Sequence, residues 1–397
     1  MATEWKKVRL GELYEVHNGL SKGGKFFGSG YPFLSFSTIF NNFFIPENIK
    51  DLVQSTPEEQ ENYSVKAGDV FVTRTSETAD ELGMSCVALK DYPNATYNGF
   101  CKRLRPIDTE YTVLPKYIGY YLRTPEFRGN FLGLSGSMTT RASLKNDDLL
   151  SMTIPLPPLE AQQKIAGILS AYDDLIENNR RQIKLLEEAA QKLYKEWFVK
   201  LNFPGHENVK VVDGLPKGWK KGKVDDVVIY HDTKRKPLSS MERSKMKGDY
   251  RYYGAASVLD YVNSYLFDGT YLLLGEDGTV ITTDGYPVLQ YITGKFWVNN
   301  HAHVLTGKNY FSTEFIYMMF SCMKIKDIVT GAAQPKISQA RLSNKEIILP
   351  CEALVRKFSD TTKPIFDKIF NSQLSILNLQ SARDKLLPRL MNVDFEL

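Results

Sequence analysis

The chain has 397 residues, 43% hydrophobic and 24% charged, with a formal net charge of +4. That length suits two to four domains of the usual ~100–200 residues, the composition is that of an ordinary globular protein, and the charge is too small to announce a polyanionic partner by itself. No apolar run approaches the ~18 residues that cross a membrane, Met1-Ala2-Thr3-Glu4-Trp5 lacks the basic and apolar regions of a signal peptide, and Cys86, Cys101, Cys322 and Cys351 form no Cys-x-x-Cys pair, which together read as a reduced cytoplasmic protein without a cysteine-built metal site.

Residues 6–155 read as a mixed domain of short strands and helices. Gly68-Asp69 leads into a strand at Val70-Phe71-Val72-Thr73, and Cys86-Val87-Ala88-Leu89 is another, ending at the turn Asp91-Tyr92-Pro93-Asn94. Pro115 to Leu122 has helical spacing, and Thr124-Pro125-Glu126 is a capped helix start. From Leu159 to Val199 there is no proline and one glycine, Gly167. Ile168, Tyr172, Leu175, Asn179, Ile183, Leu186, Ala190, Leu193 and Trp197 follow steps of 3 and 4, an a/d seam in which polar Asn179 can fix register. About 40 residues at 1.5 Å each make a rod of about 60 Å, too long for a core helix of one small domain.

Leu201 to Gly218, with Pro204-Gly205, Asp213-Gly214 and Pro216, reads as an exposed connector. Residues 218–350 then read like the first domain: a buried strand at Tyr271-Leu272-Leu273-Leu274, a turn at Gly275-Glu276-Asp277-Gly278, a strand at Phe296-Trp297-Val298, and a helix opening at Phe311-Ser312-Thr313-Glu314. A second seam runs through Val355, Phe358, Thr362, Ile365, Ile369, Ser372, Ile376, Leu379, Arg383, Leu386 and Leu390. Pro364 is its weak point: an interior proline costs about 3 kcal/mol, so the regular helix is expected either to bear that cost or to begin there. Two matching stripes in one chain pair with each other, or each packs on its own domain. The fold class is α+β, divided as domain 1 over 1–155, a central helix over 156–200, a link over 201–217, domain 2 over 218–350 and a terminal helix over 351–397.

The second domain is a degenerate copy of the first. Trp5-Lys6-Lys7 returns 214 positions on as Trp219-Lys220-Lys221, while Gly136 and Ile154-Pro155 return 195 positions on as Gly331 and Leu349-Pro350. A repeat of about 200 residues is a duplicated domain and no solenoid. Shared flanks around unlike interiors suggest one architecture carrying two recognition surfaces.

Charge is unevenly spread. Lys217 to Arg251 holds eleven Lys/Arg against five Asp/Glu, including Lys234-Arg235-Lys236, whereas Glu47 to Glu81 holds nine acids against three bases. Each stretch is either a solvated face or, respectively, a surface for phosphates and one kept away from them. Catalytic motifs are absent: Gly294-Lys295 and Gly307-Lys308 lack the upstream glycine of a nucleotide-binding loop, and Pro157-Pro158, between Leu156 and Leu159, does not form the loop that holds an amine for methyl transfer. His301-Ala302-His303 places two imidazoles on one strand face, as metal ligands would be, but with no acidic residue nearby. Hydrogen bonding to a nucleic acid, or a turn-edge role, suits them better.

A loop recurs before each rod: Gly136-Ser137-Met138-Thr139-Thr140-Arg141-Ala142-Ser143, then Gly331-Ala332-Ala333-Gln334-Pro335-Lys336-Ile337-Ser338. Each offers glycine, small residues, a hydrogen-bonding side chain, a cation and a serine in one register, the groups that grip phosphates and read base edges. The same loop could also simply close a domain.

The run Ile154-Pro155-Leu156-Pro157-Pro158-Leu159-Glu160-x-Gln162-x-x-Ile165, with Gly68 to Glu77, Tyr252-Tyr253-Gly254-Ala255, Asn299 to Leu305 and Lys385 to Met391, resembles the specificity subunit of a Type I restriction-modification system over essentially the whole chain. The second copy departs from the pattern at Leu349-Pro350-Cys351-Glu352, which lacks the double proline, and Thr139 stands where Gln334 does. The resemblance implies two target-recognition domains separated by a long antiparallel two-helix coiled coil in pseudo-twofold arrangement. It implies double-stranded DNA as ligand, one half-site per domain with the helices setting the spacer, two modification (methyltransferase) subunits bringing S-adenosylmethionine, restriction subunits using ATP and Mg²⁺, and no cofactor or catalysis on this chain. The expected DNA contacts are Lys22, Lys25, Arg74 and Thr75; Thr139, Arg141 and Ser143; Lys234, Arg235 and Lys236; Tyr253, His301 and His303; and Gln334, Lys336 and Ser338. A nuclease or methyltransferase with an unfamiliar centre, and a scaffold that binds only proteins, are the alternatives; activity of the purified chain with cofactor and metal would favour the first, and salt-dependent duplex binding argues against the second.

Overall fold

The flanks that the sequence repeats become paired strands. In the computed structural model, which describes residues 5–76, 82–135, 142–331 and 334–392, Lys6–Arg9 runs antiparallel to Thr153–Leu156 with Val8 opposite Ile154. Lys220–Lys223 pairs likewise with Glu346–Leu349, Gly222 opposite Ile347. Each domain is closed by its own first and last strands, and the two-residue period turns Val8, Ile154, Ile347 and Leu349 inward. Two compact units result, Met1–Glu177 with Ile376–Leu397, and Asn178–Ser375.

In the first unit β1 (Tyr14–Asn18), β2 (Val70–Thr73), β3 (Ser85–Val87) and β4 (Cys101–Pro106) form an antiparallel sheet in the order β1-β4-β2-β3. β2 is apolar without alternation because both its faces are covered: Val70 and Val72 meet Tyr117, Ile118 and Phe127, while Phe71 meets Leu34, Ile39 and Tyr97. The N-terminal half of a long helix, α1 (Leu159–Tyr194), packs here on the C-terminal half of another, α2 (Glu352–Leu390). Ile165 and Leu169 share a core with Leu387 and Leu390, and Asp173 pairs with Arg383, so the two segments run antiparallel.

The second unit contains a six-stranded sheet of β5 (Val228–Tyr230), β6 (Lys247–Tyr253), β7 (Val258–Val262), β8 (Phe267–Gly275), β9 (Leu289–Val298) and β10 (Ala302–Gly307), ordered β5-β10-β8-β9-β6-β7. β6 and β9 are parallel and the other neighbours antiparallel. The helix Thr313–Ser321 opens as its sequence predicts, with the Ser312 hydroxyl accepting from the Phe315 amide at 3.1 Å. Here the remaining halves of α1 and α2 meet: the rings of Trp197 and Tyr194 lie 5.7 and 5.8 Å from Phe358.

Three details differ from the periodicity. Ile168 and Leu175 are exposed (38% and 50%), and Ile165, Leu169 and Ile176 are buried instead; α1 carries apolar residues on two adjacent faces, and its packing partners choose between them. The regular helix stops at Tyr194, and Lys195–Val199 is a π turn in which the Lys200 amide donates to the Lys195 carbonyl at 2.8 Å, an inserted residue that lets both Trp197 and Phe198 reach Phe358. Finally, α2 continues through Pro364. Its cost of about 3 kcal/mol is offset by burial of Phe366 and Ile369 beyond it, each contributing about 1.5–3 kcal/mol. In the link, Val211–Val212 and Leu215–Pro216 form a hairpin whose Asp213-Gly214 corner has φ of 50° and 76°, the primed turn that hairpins favour. Among the described residues no helix is long and apolar enough to cross a membrane.

Candidate nucleic-acid interface

The recurrent loop of the second unit is built on the end of β8. Thr330 and Lys336 exchange backbone hydrogen bonds of 2.8 and 2.7 Å, the Ile337 amide donates to the Glu276 carbonyl at 2.7 Å, and the Gly278 amide donates to the Pro335 carbonyl at 3.0 Å. Gly331 turns the loop at φ 82°, where a Cβ would sit 2.3 Å from the Gln334 carbonyl oxygen; any side chain there would force the loop apart. The exposed side chain of Gln334 and the half-exposed one of Lys336 are thereby presented on a braced turn. Residues 332–333 lie outside the described residues.

Beneath this loop lies a charged network. His303 is 1% exposed; its Nδ1 meets Asp232 Oδ2 at 2.6 Å and its Nε2 donates to the Ile337 carbonyl at 2.8 Å. Arg235 donates to Glu276 at 2.6 Å and to the Ala302 carbonyl at 2.8 Å, and its Nη2 is 3.5 Å from Asp232. Burial alone would raise the Asp232 carboxyl; the His303 hydrogen bond and charge, the Val304 amide and Arg235 together hold it below the usual carboxylate range. Asp232, Glu276 and His303 are the acid–histidine cluster of metal-like spacing among the described residues, with ligand atoms within 4.8 Å. Arg235 already supplies positive charge to both carboxylates, and both His303 nitrogens are engaged.

Several expected contacts therefore take other roles. His303 and Arg235 are internal ties, and Tyr253 is buried, edge-on to Phe296 at 5.8 Å with its hydroxyl accepting from Arg251 at 3.3 Å. Ser338 caps the helix Gln339–Ser343. Nor do the histidines share a face: His301 precedes β10 and pairs through Nδ1 with Asp277. Contrary to the expectation from the local sequence, both histidines have acidic partners, brought from 24 and 71 positions away. His301 remains half-exposed, and Lys234 and Lys236 are exposed without an ion pair among the described residues. Elsewhere in the basic run Arg243 and Lys247 both pair with Asp260.

In the first unit Thr139 and Arg141 lie outside the described residues. The backbone of Ala142–Ser143 pairs with Thr75–Ser76, and the Leu144 amide donates to the Arg74 carbonyl at 2.9 Å, so this loop, too, ends on a strand of its own domain. Lys22 is tied down, 2.6 Å from Glu59 and from the Gln54 carbonyl, and Lys25 is exposed beside the Phe26 ring. Arg74 is half-buried, donating to Asn18 Oδ1 at 3.1 Å. The acidic stretch is partly internal as well: Asp69 is buried against Arg105, and Glu59 holds Lys22. Sequence reasoning passed over Lys102, which is 5% exposed on β4 and donates to Asn146 Oδ1. The signal available was the two-residue period of β4, which turns Lys102 to the face of Leu104 and away from Arg103 and Arg105.

The family described as Type I restriction modification DNA specificity domain matches residues 2–188 and 216–353. The chain is 26% identical to the Type I restriction enzyme MjaIX specificity subunit of Methanocaldococcus jannaschii, across 98% of this chain and 93% of that one. It is 22% identical to the Type I restriction enzyme HindI specificity subunit of Haemophilus influenzae, across 98% and 99%. The crystal structure of a Type-I restriction-modification system S subunit from M. genitalium shares the fold at a TM-score of 0.51 and 16% identity, over 99% of this chain and 97% of that one.

Proposed function

The chain belongs to the Type I restriction-modification DNA specificity family, and from that premise we propose that its two units each read one half of a split duplex DNA target. In this reading α1 and α2 set the length of the unread spacer and dock two modification subunits, which bring S-adenosylmethionine to the DNA; restriction subunits add ATP- and Mg²⁺-dependent cleavage. The chain itself recognises and does not catalyse. The observation that carries the reading is that two units of one plan, each closed by the repeated strand pair and each holding half of both long helices, present unlike sheets and unlike loop anchors. Lys234, Lys236, His301, Gln334 and Lys336 form the contact surface of the second unit, and Lys25 and Arg74 belong to that of the first.

The test is the spacer. Four residues inserted after the exposed Glu188 lengthen α1 by about 6 Å, about one turn, or roughly two base pairs, and nearly preserve its seam. Mapping of methylated sites with the modification subunit present is expected to return the same half-sites with a spacer longer by about one or two base pairs. An active variant with the original spacer would sink the ruler. Methyl transfer by the purified chain with S-adenosylmethionine alone would overturn its non-catalytic role.

A further inference from the structure

The cations of the first unit are answered differently from those around them. Arg105 has the Asp69 carboxylate at 2.7 Å, and half-buried Arg123 donates to three backbone carbonyls, those of Ser85, Ile39 and Asn42. Arg74 and Lys102 have neither arrangement. Asn18 lies opposite Lys102 in the pairing of β1 with β4 and accepts from Arg74, while Lys102 donates to Asn146. Two neutral amide oxygens thus face two full positive charges, and no carboxylate among the described residues pairs with either. The Arg74 Nε is buried with no hydrogen-bond partner. Burial, and then the neighbouring Arg74 charge, press the Lys102 ammonium below its ordinary range, as expected of like charges held close in a poorly solvated place.

We infer that Arg74 and Lys102 form an anion pocket in the first unit that takes one phosphodiester group of the DNA backbone. The donors suit it: Lys102 keeps two N–H groups beyond the one given to Asn146, and Arg74 adds its Nε and the rest of its fork, together enough to hold both free oxygens of a phosphate. Lys102 is buried and Arg74 half-exposed, so the ligand approaches from the Arg74 side, where the Arg74 amide is bonded to the carbonyl of Phe100, a ring 61% exposed. A phosphate removes the like-charge repulsion and satisfies the orphaned Nε in one step. The inference rests on the DNA reading above and adds to it a positional contact, one that fixes register without reading sequence.

The experiment is a salt titration of the full chain against a short mixed-sequence duplex, comparing parent, Lys102→Met and Arg74→Gln. Each variant is expected to bind about tenfold more weakly at low salt, with the slope of log affinity on log salt shallower by about 0.9 per lost contact. Lys102→Met removes a repelled buried charge, so its melting temperature is expected to stay at or above the parent's; should it fail to fold, Arg74→Gln decides. An unchanged slope overturns the pocket, as does a changed sequence preference at constant slope, which would make Arg74 a base reader. If the parent itself binds no duplex, the DNA reading is at fault, and the pocket is judged by inorganic phosphate at matched ionic strength. Phosphate should then raise the melting temperature of the parent and leave that of Lys102→Met unmoved; equal shifts would overturn the inference.

Discussion

The two units solve one structural problem with opposite electrostatics. In the second, Arg235, Lys336, His301 and His303 each face a carboxylate, and the recurrent loop rests on that closed network. In the first, Arg74 and Lys102 face amide oxygens and no carboxylate among the described residues. The contrast is between these two clusters and not between whole copies, since the first unit also holds the closed pairs Arg105–Asp69 and Lys22–Glu59 and the second also exposes Lys234 and Lys236. Net charge cannot show this, because it does not say which acid meets which base, and Glu276 and His303 reach Arg235 and Asp232 from 41 and 71 positions away.

Breaking the closed network should have the largest effect. Asp232→Ala leaves His303 and Arg235 short of their partner in a buried place, and loss of one member of a buried pair costs about 3–5 kcal/mol. Denaturant unfolding is expected to show that loss, with amide exchange quickening at Val304 and Ile337, which are bonded to Asp232 and Glu276 respectively. Unfolding at the parent's midpoint would mean that the network does not hold the loop. The same carboxylate gives a pH signature. Its folded pKa lies below the unfolded value of about 3.9, so its contribution is present above about pH 4 and is lost as the pH falls through the folded value. Asp232→Asn should remove that part of the acid loss and leave alkaline behaviour unchanged; an undiminished acid loss would assign it elsewhere.

The open cations of the second unit give a smaller effect of another kind. Lys234→Ala with Lys236→Ala should leave the melting temperature near the parent's and flatten the salt slope of duplex binding by about 1.8 for two contacts. Arg235→Ala should do the reverse, lowering stability with little change in slope. A basic run that behaved as one block, with all three substitutions shifting the slope alike, would erase the distinction between open and closed charge.

Much of the scaffold was legible in the sequence because it depends on local pattern. The repeated flanks became the closing strand pairs, and most of the α2 seam is buried as spaced, through Val355, Phe358, Thr362, Ile369, Ser372 and Leu390. The site was less legible, for reasons of partner choice. Ile168 and Ile165 both fit helical spacing, and only the packing of the first unit chose Ile165. His303 and Asp232 are 71 residues apart, and no motif links them. Tyr253, expected as a DNA contact, is buried because β6 lies against β9, which carries Phe296. Lys102 could have been set apart from Arg103 and Arg105 by strand period, but its want of an acidic partner among the described residues is visible only in the fold.

The smallest predicted effect compares the polar residues that the two helix pairings enclose. In the first unit Asp173 accepts from Tyr120 at 2.5 Å and pairs with Arg383, whose guanidinium lies over the Phe43 ring at 4.7 Å. In the second, Asn179 reaches Ser375 Oγ at 3.5 Å, near the limit for a hydrogen bond. The first contact is charged, short and backed by a ring; the second is neutral, long and half-buried. Asn179→Leu should therefore change unfolding free energy by less than about 1 kcal/mol, with the sign favouring leucine, because a net hydrogen bond of about 0.5–1.5 kcal/mol at poor geometry is exchanged for an apolar side chain in an apolar stripe. Asp173→Ala should cost more, since it leaves the Tyr120 hydroxyl without its acceptor and Arg383 with Asp384 as its remaining carboxylate among the described residues. Register is the sharper readout for Asn179, as a polar residue in a seam selects one alignment at some cost in stability. With the modification subunit present, Asn179→Leu is expected to broaden the distribution of spacer lengths among methylated sites. A variant as stable as predicted whose spacer remains single would show that register is fixed by the aromatic packing of Trp197 on Phe358 and not by the polar pair.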